Sequence, residues 1–215
     1  MMAAGPHQNQ PLIAAGQPLD KARAALVLLH GRGASPEDIL ALGYELFHPD
    51  FAYLAPQAAG YTWYPYSFLS PIPQNEPGIT SGIAVIADLV NEIVTAGIPY
   101  QRIMIGGFSQ GACLALEFVA RHARRYGGVL GFSGGLIGPD DTSRDYAGSL
   151  EDTPVFLGCS DIDFHIPKER VELTAEVLEG LGGKVTMRLY PGMGHTVNED
   201  ELTFGRVLVA GILPT

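Results

Sequence analysis

A single α/β domain built on a mostly parallel sheet is predicted for this 215-residue chain by three observations. Short apolar runs alternate with amphipathic helical patterns from end to end, and such strand–helix–strand connections build a parallel sheet with helices on both faces. One run, Ala24 to Leu29, is unbroken and apolar, as expected of a central strand covered on both sides. A second, Ile103-Met104-Ile105, passes through Gly106-Gly107-Phe108-Ser109-Gln110-Gly111 straight into the helical pattern Ala112, Leu114, Ala115, Leu116, Phe118, Val119.

Taken in order, residues 1–10 read as a flexible tail and residues 11–215 as the folded domain. Leu12–Ala15 and Leu19–Ala22 around Gly16 read as a leading hairpin. After the Ala24 strand, Ser35-Pro36-Glu37-Asp38 supplies an N-cap serine, proline at the first helical position and acids in the first turn. That helix should turn Ile39, Leu42, Leu46 and Phe47 inward. Phe51–Leu54 is a short strand, and residues 56–78 form a long loop rich in proline and aromatics, which in a compact domain marks a binding or lid element. An amphipathic helix spans Ile79–Ala96, stopped by Gly97 and Pro99. Beyond the segment around Ser109 come strands near 128–132, 154–157 and 184–190, and helices near 168–181 and 199–210. No repeat and no linker divides the chain, and no cap insertion is visible.

Composition bounds the function. A chain that is 47% hydrophobic and 17% charged describes a compact globular enzyme rather than a disordered one. A net charge of −10 offers no Lys/Arg stripe, which argues against nucleic acid. The start of the chain has neither a basic region nor a long apolar segment, and the longest unbroken apolar run is too short for a bilayer. A cytoplasmic protein with no stable membrane insertion is therefore expected. Two cysteines, Cys113 and Cys159, indicate no disulfide framework.

Strand, one serine between glycines, helix is the context of a nucleophile elbow. The turn is so tight that side chains at Gly107 or Gly111 would collide, and Ser109 is left at the strand's C-terminal end facing the positive end of a helix. A second match, Gly131-Phe132-Ser133-Gly134-Gly135, is followed by glycine and proline where a helix should start, so Ser109 is preferred. A serine needs a base held by an acid, and on such a fold the order is Ser, acid, His. Of six histidines, His195 lies in the flexible turn Tyr190–His195 before the last helix, where the base belongs. His7, His48 and His122 read as bystanders, His165 as a site neighbour or a surface residue, and His30 as a brace for its own loop. The acid comes from the turn Cys159–Pro167, where position alone leaves Asp161 and Asp163 open. The alternation Cys159, Asp161, Asp163, His165 matches no zinc spacing, so no metal and no cofactor are expected. The oxyanion-hole amides are assigned to Gln110 and, from the small-residue loop His30–Gly33, to Arg32. Trp63, Tyr64, Tyr66 and Phe68 of the long loop, with Met193, are expected to contact substrate, although Trp63 and Tyr64 read equally well as pins that hold the loop to the core.

The chain resembles the phospholipase/carboxylesterase family of α/β-hydrolases, which includes acyl-protein thioesterases and small bacterial carboxylesterases. The likeness covers most of residues 24–212 and rests on Leu29-His30-Gly31-Arg32-Gly33, Ala55-Pro56-Gln57 with Trp63-Tyr64, Gly107-Phe108-Ser109-Gln110-Gly111-Ala112 and Gly194-His195. Aligning the family's acid motif on Ile166-Pro167 places the catalytic aspartate at Asp163, although Cys159-Ser160 and Phe164 depart from that motif. The resemblance implies a serine hydrolase acting on a small-molecule ester or thioester, with homodimerisation as a family trait. Lysophospholipid cleavage and a fold turned ligand receptor are the alternatives.

Overall fold

The computed structural model describes residues 5–213. Seven strands form one sheet in the order β1-β3-β2-β4-β5-β6-β7. They are β1 (Leu12–Gly16), β2 (Ala24–Leu29), β3 (Phe51–Pro56), β4 (Ile103–Phe108), β5 (Gly128–Phe132), β6 (Pro154–Ser160) and β7 (Lys184–Tyr190). All pairings are parallel except β1 with β3, so this is the mostly parallel sheet that the sequence pattern predicts.

Strand alternation feeds two cores. Ala25, Val27 and Leu29 of β2 point into the layer formed by α2 (Gly78–Thr95), α3 (Gln110–Arg121) and α4 (Lys168–Gly180). Ala24, Leu26 and Leu28 point the other way, toward α1 (Pro36–Glu45) and α5 (Glu199–Gly211). Because both faces are covered, β2 and β3 are buried along their whole length, which is why they read as continuous apolar runs. By length and composition α2 could cross a bilayer, but Ile79, Ile83, Ile86, Leu89, Val90 and Ile93 are buried against the sheet and α3. The predicted cap holds as well: Ser35 and Asp38 form a reciprocal capping box at the start of α1, with Pro36 at the first helical position.

Three expectations need correction. Leu12–Gly16 does not form a hairpin with Leu19–Ala22; its partner is β3, and residues 18–22 are a turn closed by the Lys21 and Ala22 amides on the Pro18 carbonyl. Phe47 lies one residue past the α1 C-cap at Leu46, so the helical periodicity no longer governs it and it is 58% exposed. The flexible tail of residues 1–10 falls partly outside the described residues; Pro6, Asn9 and Gln10 are exposed, but His7 anchors the segment to the domain. His7 is buried; its Nε2–H donates to the Trp63 carbonyl (2.8 Å) and its Nδ1 accepts from the Ala59 amide (3.0 Å). Its own amide donates to Ser81 of α2 at 2.9 Å. Polar residues there looked solvated because their partners lie more than fifty positions away.

Replacing His7 with alanine strands the Trp63 carbonyl and the Ala59 amide, at roughly 1–3 kcal/mol for each buried orphan. His7→Ala should therefore melt about 4–20 °C lower in a thermal denaturation. An unchanged Tm would return residues 5–10 to the status of a loose tail.

Candidate active site

In a parallel sheet all C-terminal strand ends lie on one rim, and the predicted site residues come from four of them. Ser109 follows β4, the middle strand; the loop His30–Gly33 follows β2; Asp163 follows β6; His195 follows β7. Ser109 has φ 55° and ψ −121°, a backbone setting unfavourable to a side chain. It is held there by its neighbours. A Cβ on Gly107 would lie 2.6 Å from the Leu29 carbonyl oxygen, and one on Gly111 would overlap the carbonyls of Leu29 and His30. The elbow is therefore pressed against the end of β2, which brings the β2–α1 loop over the serine.

The His195 imidazole stands between the other two groups. Its Nδ1 lies 2.6 Å from Asp163 Oδ2 and its Nε2 lies 2.8 Å from Ser109 Oγ. Asp163 Oδ1 accepts from the His165 and Ile166 amides at 2.8 and 3.1 Å. Burial pushes the Asp163 carboxyl up, but the His195 hydrogen bond, the electrostatic attraction of the ring and those two amides together outweigh it and hold it below its ordinary value. An ionised carboxylate can only accept, so Nδ1 carries the proton and Nε2 is left to accept from the serine hydroxyl. Asp161, the competing acid, instead accepts from the Gly192 amide at 2.8 Å and ties down the loop that carries His195.

The two amides expected at the oxyanion hole, those of Arg32 and Gln110, are used by no hydrogen bond among the described residues. The side chains of the same two residues hold the aromatic loop. Gln110 Nε2 donates to the Tyr64 carbonyl (2.8 Å) and its Oε1 accepts from the Trp63 amide (2.9 Å). The Arg32 guanidinium donates to Thr62 Oγ1, the Pro65 carbonyl and the Tyr66 carbonyl at 3.1, 2.9 and 2.6 Å. Behind them His30 donates from Nδ1 to the Gly31 carbonyl and accepts the Ala58 amide at Nε2, while the Trp63 indole donates to the His30 carbonyl. Burial holds both His7 and His30 below the ordinary histidine value, so both are neutral braces.

A cleft of about 600 Å³ opens over Ser109. Tyr64, Tyr66 and Phe68 line it, as do Arg32 and Gln110. Trp63 does not: it is 0% exposed, consumed in bracing the loop. Met193 is also absent from the lining, its sulfur accepting from Asn198 Nδ2. Sequence reasoning overlooked Phe108, Cys113 and Ile166 in the wall; the helical spacing Ser109 to Cys113 puts the thiol one turn below the serine and could have revealed it. His165, expected as a neighbour, lines the cleft with its ring centre 4.8 Å from that of His195. His48 caps the Asp50 amide and His122 stacks on Phe118, both away from the rim. Among the described residues no His/Cys/Asp/Glu group could hold a metal ion.

Residues 10–207 match the sequence model of the phospholipase/carboxylesterase family. An acyl-protein thioesterase 1 from Gibberella zeae is 33% identical over 138 residues, covering 60% of this chain and 56% of that protein. The chain spans about half the length of the first curated relatives it matches. An acyl-protein thioesterase 1 from Yarrowia lipolytica is 28% identical over 84% of this chain and 88% of its own. A solved phospholipase/carboxylesterase from Dyadobacter fermentans superposes with a TM-score of 0.91 at 41% identity, over 95% of this chain and 97% of that one.

The loop bearing His195 ends in a second capping box, where Asn198 and Glu201 exchange bonds at the start of α5. Burial pushes the Glu201 carboxyl up to about 7, against the Asn198 amide that lowers it. An unfolded glutamate titrates near 4.3, so the folded state holds this proton more tightly and stability falls as pH rises from about 4.3 through 7. The Tm advantage of Glu201→Gln over the parent protein should therefore grow by roughly 2–6 °C between pH 5 and pH 8. An advantage equal at both pH values would remove the buried carboxylate as the cause.

Proposed function

The chain belongs to the phospholipase/carboxylesterase family of hydrolases, and on that premise we propose that it cleaves carboxylic esters of short to medium acyl chains through an acyl-enzyme on Ser109. The observation that carries this reading is the imidazole of His195 within hydrogen-bond distance of both Ser109 Oγ and Asp163 Oδ2. In the first half-reaction Oγ attacks the carbonyl carbon as its proton passes to Nε2, and Asp163 steadies the resulting imidazolium. The carbonyl oxygen takes the negative charge between the Arg32 and Gln110 amides, where fixed dipoles need no reorganisation. The carbon–oxygen bond to the alcohol then breaks and the proton on Nε2 goes to the departing oxygen. Water, deprotonated by the same nitrogen, attacks the acyl-enzyme and restores the serine.

The walls at Tyr64, Phe68, Cys113 and Ile166 are apolar enough for an acyl chain, and the cleft's volume of about 600 Å³ supports the short to medium range. A thioester would be cleaved by the same groups, and the acyl-protein thioesterase relatives favour this as the second reading. Rates on matched oxygen and sulfur esters separate the two. A reducing compartment such as the cytoplasm suits the two buried, unpaired thiols.

Ser109→Ala and His195→Ala should each lower nitrophenyl-ester turnover by about 10⁵–10⁶, and Ser109→Ala should abolish labelling by a fluorophosphonate. Retention of labelling in Ser109→Ala would move the nucleophile elsewhere. Across nitrophenyl esters of rising chain length the maximum should fall at short to medium acyl groups; a maximum at palmitate would overturn the chain-length assignment.

A further inference from the structure

A second cleft, of about 320 Å³, lies on the other side of His195, between the start of α1 and the loop that leads into α5. It shares Gly31, Ala34, Phe108 and His195 with the larger cleft, so the two meet at the imidazole. Ile39, Leu42 and Val197 make its walls apolar, and Asp38 is its one negatively charged lining group. His30, also in the lining, is kept uncharged by burial, and Arg32 lines the larger cleft only.

We propose that this smaller cleft seats the alcohol half of the ester, and that Asp38 makes it favour an alcohol with an apolar body and a cationic end. The inference rests on the esterase reading of Ser109 and His195. A tetrahedral carbon on Ser109 carries three further groups. The oxyanion turns to the Arg32 and Gln110 amides, so the acyl chain and the departing oxygen must take the two clefts. The departing oxygen receives its proton from Nε2 of His195, while the electrons of the broken carbon–oxygen bond stay on that oxygen. It must therefore lie against the imidazole, the only one of the three proposed triad side chains that lines the smaller cleft. Ser109, Gln110 and the deep apolar wall at Phe68 and Ile166 belong to the larger one, which suits the acyl chain.

Charge then discriminates between alcohols. Asp38 accepts the Ser35 amide at Oδ2 (2.8 Å), and no hydrogen bond among the described residues uses its Oδ1. A quaternary ammonium at the end of a two-carbon alcohol meets this carboxylate and a chain of net charge −10. An anionic end meets repulsion from both.

The test holds the acyl group at butyryl and varies the alcohol among choline, its uncharged isostere 3,3-dimethylbutanol, and 2-hydroxyethanesulfonate. The expected order in kcat/KM is cationic, neutral, anionic, with about three- to fivefold between the first two, the scale of an exposed ion pair. Asp38→Asn keeps an acceptor for the Ser35 amide; it should erase that ratio by slowing the choline ester to the rate of the dimethylbutyl ester. Leu42→Trp, which fills the cleft from α1, should slow the choline and dimethylbutyl esters while sparing methyl butyrate. Equal rates for all three alcohols, or a charge preference that survives Asp38→Asn, overturns the assignment of Asp38. A Leu42→Trp protein whose acyl-chain profile shifts instead reverses the two clefts. If such a result comes from a parent protein that labels with fluorophosphonate and turns over nitrophenyl butyrate, only this inference falls; if both are absent from the parent protein, the esterase reading falls with it.

Discussion

The contact on which the site depends is backbone against backbone. The glycines either side of the Ser109 turn press on the carbonyl end of β2, closer than any Cβ could allow. That contact keeps the serine at φ 55° and fixes the loop after β2 directly above it. Strain of this kind persists only where the surroundings over-determine it, and here they are the ends of the middle strand and of its neighbour β2. From the same contact follows the double use of Arg32 and Gln110. Their amides are the ones proposed for the oxyanion, and their side chains hold the aromatic loop by its carbonyls. The wall of the cleft and the proposed oxyanion hole are thus one mechanical unit.

Burial acts on four titratable groups around this unit with different outcomes, and their partners explain the difference. His7 and His30 each accept a backbone amide on one nitrogen, a bond that a protonated ring could not make, so burial keeps them neutral. Asp163 is equally hidden, but a donor imidazole and two amides compensate its charge and it stays ionised. Glu201 has one amide and an Oε1 without a partner among the described residues, and its carboxyl rises instead. The ionised acid stands beside the imidazole; the reluctant one stands behind the loop that carries it.

The main outline of the fold was legible because its signals are local: continuous apolar strands, a capping box, glycines at a turn. Ser109 and His195 could be proposed for a related reason, since each lies at a fixed place after a strand, whereas position left Asp161 and Asp163 open and only the family resemblance chose between them. Long-range packing was not legible. His7 looked solvated because its partners, Ala59 and Trp63, are brought to it only by the finished fold. Trp63 looked like a wall of the cleft because an aromatic in a loop does not announce that its indole is already bonded to His30. Phe47 failed for the opposite reason, a local rule carried one residue past the end of its helix.

The second Gly-x-Ser-x-Gly shows what the motif does and does not encode. Ser133 is a near twin of Ser109: it follows the adjacent parallel strand, its φ is 49°, and its amide donates to the Gly158 carbonyl of β6 as the Ser109 amide donates to Phe132 of β5. Backbone strain at a strand end is therefore not sufficient for a nucleophile. The difference lies in the path the chain takes on leaving each serine. After Ser109 the chain turns into α3 and leaves its first amides open toward the rim. After Ser133 it crosses over the first turn of α3, so closely that a Cβ on Gly134 would lie 2.5 Å from that of Ala112, and the Gly135 amide is spent on Cys113 Sγ. Its glycines serve that crossing, and the serine beneath is sealed at 0% exposure. One helix start thus exposes the first serine and buries the second. The pattern of glycines is common to both, and only the helical periodicity after Gly111 tells them apart in sequence.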